Sequence, residues 1–208
     1  MKANFFQLIT GAAIVGTLGS GVFTPVHAFQ VWSLNFTPEG GGGRTGTGTG
    51  SMTYDDGFNT LRLQATFSGL SGNVTVAHLH GITAQPGTGT ASVIVPSGSS
   101  LPNFPTGATF GTYDQTFDLG SDSTYRAAFL TANNNSPDDA RDSLIASFDA
   151  GTTYFNIHST TFTGGEIRAF ATAVPEPLTI LGAATAVGFG AKFKRRLAQS
   201  QKSKKDVG

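Results

Sequence analysis

The chain has 208 residues, enough for one domain with additional segments at its ends. It contains no cysteine, which excludes disulfides, thiolate catalysis and cysteine-ligated metals. Its formal net charge is +0, but residues 29–173 hold five arginines, no lysine and eleven acidic residues, a charge of −6. This acidic body lacks the basic surface that nucleic-acid binding requires, so we expect no nucleic-acid partner.

Residues 1–28 have the pattern of a secretory signal peptide. Lys2 provides a positive start, an uncharged and mostly apolar stretch follows, and Val26-His27-Ala28 ends it with small residues at the −3 and −1 positions. We therefore predict export, with signal peptidase cleaving between Ala28 and Phe29. The alternative is a membrane-spanning anchor, but glycine and threonine interrupt the apolar stretch and a cleavage site follows it.

The body of the chain has the alternation and the turn residues of short β-strands. Strands are predicted over 29–36, 49–54, 61–67, 74–80, 91–95, 112–119, 154–158 and 166–173. Residues 39–50 are rich in glycine and threonine and are predicted to form a flexible loop. Seven or eight short strands predict an all-β fold, an antiparallel sandwich or barrel.

A short helical insertion is predicted between the sixth and seventh of these strands. Ser136 suits the N-cap, Pro137 the first helical position, and Asp138 and Asp139 the positive end of the helix dipole. Gly151 can close this helix. A second, shorter helical turn is predicted within 123–130.

Three histidines remain once the predicted leader is removed: His78, His80 and His158. His78 and His80 are two residues apart and therefore face the same side of a strand, together with Val74 and Val76. If the strand that ends at His158 is a neighbour, three imidazoles converge, and with one open position they suit Zn²⁺ or Cu²⁺. The alternative, which the sequence alone favours, is that the rings are structural and bond to turn carbonyls.

Three further polar residues accompany the histidines. Asn156 shares a strand face with His158, and Glu166 and Arg168 share one after the Gly164-Gly165 turn. In a functional interpretation they face a ligand, or Glu166 orients a metal-binding histidine. In the structural interpretation, which we favour, Glu166 and Arg168 form an ion pair that fixes the last strand and the arginine donates to loop carbonyls. We predict no catalytic residues, because no serine has Gly-x-Ser-x-Gly spacing and no acidic cluster has a calcium-loop pattern.

Four motifs in the body resemble those of CHRD domains, which are named after chordin. They are Phe67-Ser-Gly-Leu-Ser-Gly72, Ala77-His-Leu-His-Gly81, Tyr154-Phe-Asn-Ile-His158 and Gly164-Gly-Glu-Ile-Arg168. The resemblance covers residues 29–173 and implies an immunoglobulin-like β-fold in an exported protein. It implies no established catalytic activity. Growth-factor binding is not carried over, because the companion modules of chordin have no counterpart in this chain.

The C-terminal segment, residues 174–198, resembles the PEP-CTERM sorting signal of Gram-negative bacteria. Pro175-Glu176-Pro177 precedes fourteen uncharged residues, and a basic cluster follows at Lys192, Lys194, Arg195 and Arg196. The resemblance implies transient anchoring in the inner membrane, with the basic cluster on the cytoplasmic side, and removal by an exosortase-like enzyme. An amphipathic tail helix is the alternative, but the charges lie wholly outside the apolar run. Residues 199–208 form a polar tail.

Together these features predict an exported, non-enzymatic binding or structural module at the cell surface or in the extracellular matrix. Its expected partner is an extracellular polysaccharide or a surface protein, and no cofactor is expected. The alternative is a small Zn or Cu metalloprotein that uses His78, His80 and His158. Its His-x-His strand is similar to the copper-binding strand of Cu/Zn superoxide dismutase, but this chain lacks that enzyme's further histidines and cysteine pair.

Overall fold

A computed structural model describes residues 29–175. The predicted signal peptide and the PEP-CTERM segment from Glu176 onward lie outside the described residues, so those predictions stay untested. Within residues 29–175 no helix is both long enough and apolar enough to cross a membrane.

The described residues form nine strands and two α-helices. The strands are β1 (Phe29–Pro38), β2 (Thr47–Asp55), β3 (Thr60–Ser68), β4 (Val74–His80), β5 (Val93–Val95), β6 (Gly111–Asp118), β7 (Tyr154–Ser159), β8 (Ile167–Phe170) and β9 (Thr172–Ala173). The helices are α1 (Ala127–Ala132) and α2 (Pro137–Asp149), preceded by a 3₁₀ turn at Asp122–Thr124.

All strand pairs are antiparallel, and the order across the sheet is β5-β4-β7-β8-β1-β2-β3-β6, with β9 also pairing with β1. β1 joins the two halves of the sheet, because one edge pairs with β2 and the other with β9 and then β8. The sheet curls until β6 and β7 face each other across the core, where the rings of Tyr113 and Phe155 lie 6.4 Å apart. This curled sheet, a half-barrel with a short helical insertion, confirms the predicted all-β antiparallel fold.

The core lies inside the curl because strands such as β1 and β3 alternate apolar and polar side chains. In β1, Trp32, Leu34 and Phe36 are buried, and the residues between them are exposed. Burial of each large apolar side chain contributes roughly 1.5–3 kcal/mol. Helix α2 covers one end of this core, where Phe148 packs 5.1 Å from the Trp32 ring and Asp149 accepts a hydrogen bond from the Trp32 indole at 3.0 Å.

The ends of α2 follow the predicted capping pattern. The Ser136 hydroxyl accepts a hydrogen bond from the Asp139 amide at 3.2 Å, and Pro137 occupies the first helical position. After the helix, Gly151 adopts φ +63°, the left-handed conformation that glycine takes at low cost. The predicted helix is confirmed. The shorter helical turn also exists, divided between the 3₁₀ turn and α1.

Two predicted boundaries are wrong. Residues 47 and 48, predicted only as loop, belong to β2, a central strand between β1 and β3 that begins two residues before the predicted strand. Glycine serves here because a Cβ at Gly50 would lie 2.2 Å from the Gln64 carbonyl oxygen, so the backbones approach too closely for a side chain. The predicted last strand is divided into β8 and β9 because Ala171 between them donates instead to the Thr153 carbonyl.

Candidate metal site

The pairing of β4 with β7 brings the three histidines together. Val76 lies opposite His158, and His80 lies opposite Tyr154, on the face of the sheet that points away from the core. The register shifts between Val74 and Val76, which places Val74 in the core. The expectation that Val74 shares the histidine face is therefore wrong, whereas the expectation that the two strands are neighbours is confirmed.

Each histidine ring is held by one backbone carbonyl from a covering loop. His78 Nε2 lies 2.6 Å from the Ser99 oxygen, and His80 Nδ1 lies 2.9 Å from the Ala91 oxygen. His158 Nδ1 lies 2.9 Å from the Thr163 oxygen. Because a carbonyl oxygen only accepts hydrogen bonds, each of these three nitrogens carries the ring proton.

These bonds fix the tautomer of each neutral ring and leave three lone pairs, on His78 Nδ1, His80 Nε2 and His158 Nε2. The three nitrogens lie within 4.8 Å of one another. His78 Nδ1 and His158 Nε2 are 3.3 Å apart. Because neither nitrogen carries a proton, this contact is not a hydrogen bond. His80 Nε2 is buried and has no hydrogen-bond partner.

Burial keeps the rings of His78 and His80 neutral. Loss of solvent lowers the pKa of His78 to about 4, against a smaller raising effect of the bond to Ser99. The pKa of His80 is also lowered, again chiefly by burial. Neutral imidazole is the form that binds a metal ion, so at neutral pH these two lone pairs are available to a cation.

The nitrogen spacing fits one small transition-metal ion. Imidazole nitrogens that bind Zn²⁺ tetrahedrally at ~2.0–2.1 Å lie about 3.3–3.4 Å from one another. The spacing of His78 Nδ1 and His158 Nε2 already has this value, at 3.3 Å. His80 Nε2, within 4.8 Å of both, would have to move inward by up to about 1.5 Å. Metal-binding histidines in proteins commonly donate their second N–H to a backbone carbonyl or carboxylate, as all three rings do here.

Tyr154 supports the His80 ring from one side. The two rings stack with an interplanar angle of 7° and centroids 5.0 Å apart. The Tyr154 hydroxyl accepts a hydrogen bond from the Ala91 amide at 3.3 Å. The Ala91 carbonyl in turn accepts the hydrogen bond from the His80 ring. The Arg168 guanidinium lies over the rings of Tyr154 and Phe170, 5.0 Å and 5.1 Å from their centroids.

Arg168 and Asn156 are joined by a residue that the sequence did not single out, Glu39. Its Oε1 lies 3.2 Å from Arg168, and its Oε2 accepts a hydrogen bond from Asn156 Nδ2 at 2.7 Å. Arg168 also donates to the Gly89 carbonyl at 2.6 Å, which agrees with the predicted role as a donor to loop carbonyls. Asn156 lies opposite His78 in the sheet, but its buried Oδ1 has no partner.

Glu166 lies apart from the histidines and from Arg168. It is 0% exposed, and its Oε1 accepts hydrogen bonds from the Ser71 amide at 2.5 Å and the Thr45 hydroxyl at 3.5 Å. Its Oε2 has no partner in strict hydrogen-bond geometry, although the Ser159 hydroxyl is its neighbour. The structure therefore gives Arg168 a different acidic partner from the predicted one. Glu166 instead ties the turn before β4 to the start of β8.

Sequence reasoning found the three rings but missed the groups that orient them. Carbonyl oxygens carry no residue-specific signal, so the roles of Ser99, Ala91 and Thr163 are visible only in the folded chain. The signal for Tyr154 was present, because it alternates with Asn156 and His158 along β7.

The fold and this cluster define an antiparallel β-domain whose outer face carries a buried three-histidine site under loops. The sequence model of the CHRD domain matches residues 33–170, well over half of the chain. The protein belongs to the CHRD family. No match was found among curated proteins, and none among solved structures.

Proposed function

We propose that this CHRD-domain protein binds one Zn²⁺ or Cu²⁺ ion through His78 Nδ1, His80 Nε2 and His158 Nε2. The observation that carries the proposal is the convergence of three buried lone pairs within 4.8 Å, while each ring's N–H is engaged by a carbonyl. A purely structural cluster accounts for the N–H bonds. It leaves the lone pairs facing one another without a donor, which is costly in a buried setting.

The donor set selects the class of metal. Three neutral imidazoles suit zinc and copper, whereas calcium and magnesium prefer oxygen ligands. At a common nitrogen site Cu²⁺ binds more tightly than Zn²⁺. His78 and His158 are each 7% exposed, so a bound ion has little contact with solvent. This enclosure favours retention of the ion over turnover of a substrate, and the role we propose is binding rather than catalysis.

Metal titration of the purified protein tests this function. The protein is stripped with a chelator, and Zn²⁺ or Cu²⁺ is titrated with a competing indicator to give stoichiometry and Kd. We expect one ion per chain, and a loss of affinity of at least about a hundredfold in His80→Ala, because one of three ligands is removed.

Tyr154→Phe is the matched control for this titration. It keeps the ring stacked on His80 and removes only the hydroxyl, so the stoichiometry should stay at one. Equal metal retention by the unmodified protein and His80→Ala would overturn the proposal.

We further propose that the protein is exported and sorted through its C-terminal segment to the cell surface or matrix. The signal-peptide pattern of residues 1–28 and the PEP-CTERM pattern of residues 174–198 support this. A chain that lacks residues 174–208 should reach the same export route but lose retention in the envelope. Fractionation of cells and medium measures the difference, and an unchanged distribution of the shortened chain would contradict the sorting role.

A further inference from the structure

A second surface, on the opposite half of the sheet, has the chemistry of a binding face. We define the threonine face by six outward-facing residues of β1, β2, β3 and β6: Ser33, Asn35, Thr49, Ser51, Thr66 and Thr112. The register aligns four of them in one row across the strands, in the order Asn35, Thr49, Thr66, Thr112.

Two grooves make this face continuous with β8. One groove, of about 580 Å³, lies over β2, β3 and β6 and includes Thr49, Ser51 and Thr66. The other, of about 320 Å³, lies between β1 and β8 and includes Ser33, Asn35 and the half-buried ring of Phe170. Since Ser33 pairs with Ser51 and Asn35 with Thr49, the grooves are adjacent. The span from β8 to β6 is four strand spacings, about 19 Å, so it suits an extended chain.

The charge of this face excludes several classes of partner. Arg62, beside the face, is engaged by Asp114 through two bonds, at 2.8 and 2.5 Å, and Arg168, which lines the Phe170 groove, lies 3.2 Å from Glu39. Each arginine therefore has a carboxylate partner, which leaves the surface near neutral. Nucleic acids and anionic lipid surfaces require a basic patch, and the described body carries a charge of −6. Protein interfaces have an apolar or aromatic centre, whereas the six residues that define the threonine face carry hydroxyl and amide groups and are flanked by the Arg62–Asp114 pair.

The remaining match is a neutral polymer rich in hydroxyl groups. Serine and threonine hydroxyls and the Asn35 amide both donate and accept hydrogen bonds, which is what sugar hydroxyls require. Threonine is stiff about χ1, so little side-chain freedom is lost on binding, unlike with lysine or glutamate. Phe170 is half-buried, with the Arg168 guanidinium 5.1 Å from its ring centroid, and its exposed part offers an apolar contact at one end for the C–H groups of a sugar.

We propose that the threonine face and the Phe170 groove bind an uncharged polysaccharide. The site contains none of the three histidines, which lie on β4 and β7, although its Phe170 end adjoins them through the Tyr154 ring. Polysaccharide binding therefore needs no metal ion, and it goes beyond the proposed metal-binding function.

Affinity electrophoresis of the purified full-length protein tests this proposal, in native gels that contain a chelator. The gels hold dextran, hydroxyethyl cellulose, a galactomannan, or alginate as the anionic comparison. We expect retardation by at least one neutral polymer and none by alginate. Thr66→Glu, at the centre of the face, should weaken binding about tenfold, the loss expected from one or two hydrogen bonds.

Two further variants keep the test decisive. Thr131→Glu adds the same charge on α1, outside the face, and should bind like the unmodified protein. Asn35→Ala removes a hydrogen-bonding group without adding charge and should also weaken binding. Retardation in no neutral gel, retardation by alginate alone, or equal loss in Thr66→Glu and Thr131→Glu would overturn the proposal. Because the gels contain no free metal, none of these results bears on the histidine site.

Discussion

The substitution His80→Phe separates the metal-site interpretation from a structural one. Phenylalanine keeps a ring stacked on Tyr154 but has no nitrogen. Without metal, the variant loses the bond to the Ala91 carbonyl, worth roughly 0.5–1.5 kcal/mol. It also removes a buried nitrogen that has no partner, which costs the unmodified protein roughly 1–3 kcal/mol. The two effects oppose each other, so without metal we expect the variant to lie between about 0.5 kcal/mol less stable and about 2.5 kcal/mol more stable than the unmodified protein.

Added metal should stabilise the unmodified protein more than His80→Phe. At a free Zn²⁺ concentration of 100 Kd the unmodified protein gains about 2.7 kcal/mol of unfolding free energy. A variant whose Kd is at least a hundredfold higher gains about 0.4 kcal/mol or less. We therefore expect the unmodified protein to gain about 2 kcal/mol over His80→Phe when metal is added.

Urea unfolding followed by tryptophan fluorescence measures both states, because the chain has one tryptophan and it is buried in the core. Each protein is unfolded with chelator and again with buffered Zn²⁺ or Cu²⁺. Equal stabilisation of both proteins by metal would refute the assignment of His80 as a ligand. A metal-free loss above about 3 kcal/mol in the variant would show that the ring is needed for the fold itself.

Two further predictions concern the fold. Burial alone would raise the pKa of Glu166, but the neighbouring Ser159 hydroxyl and the hydrogen bonds from Ser71 and Thr45 outweigh it and hold that pKa below its usual value. The ionised form therefore stabilises the fold above the ordinary carboxyl pKa, and this is lost as pH falls through the lowered pKa. Glu166→Gln should cost roughly 1.5–3 kcal/mol at pH 7 and much less near pH 3, by urea unfolding at both pH values; a pH-independent loss would contradict this account. Gly50→Ala should destabilise by roughly 1–3 kcal/mol in thermal melts, since its Cβ would lie 2.2 Å from the Gln64 carbonyl oxygen. Gly41→Ala, with nothing within 4 Å of its Cβ, is the control, and equal melting shifts would show that close backbone approach is not the cause.

Strand positions were predictable from the sequence because the half-buried sheet imposes a period of two. The alternation in β1 and β3 is visible in the letters and reappears in their burial patterns. The caps of α2 were equally local, since Ser136 and Pro137 act on backbone groups within three residues. The central position of β2 was not predictable, because glycine-rich sequence is typical of loops. Only the pairing with β1 and β3 on either side shows that these glycines belong to a strand.

The bulge in β4 shows where the period-two rule stops. One extra residue between Val74 and Val76 changes which side chains face the core, and the alternation of apolar residues gives no sign of it. The partner of Arg168 was missed because nearness in the sequence does not give nearness in the fold. Glu166 is the acidic residue nearest to Arg168 in the sequence, but the carboxylate that reaches Arg168 belongs to Glu39, directly after β1.

The sequence alone determined that this chain is a CHRD-type β-domain with three candidate histidine ligands, since motif order and strand period are local properties of the letters. Only the tertiary structure decided that the three histidine rings meet. Pairing of β4 with β7 joins residues 80 positions apart, and loop carbonyls choose the tautomer of each ring. The lone pairs of the three rings converge because backbone carbonyls hold the opposite nitrogens, and any residue can supply a carbonyl. The arrangement of the site therefore depends on the folded chain and not on the residue types alone.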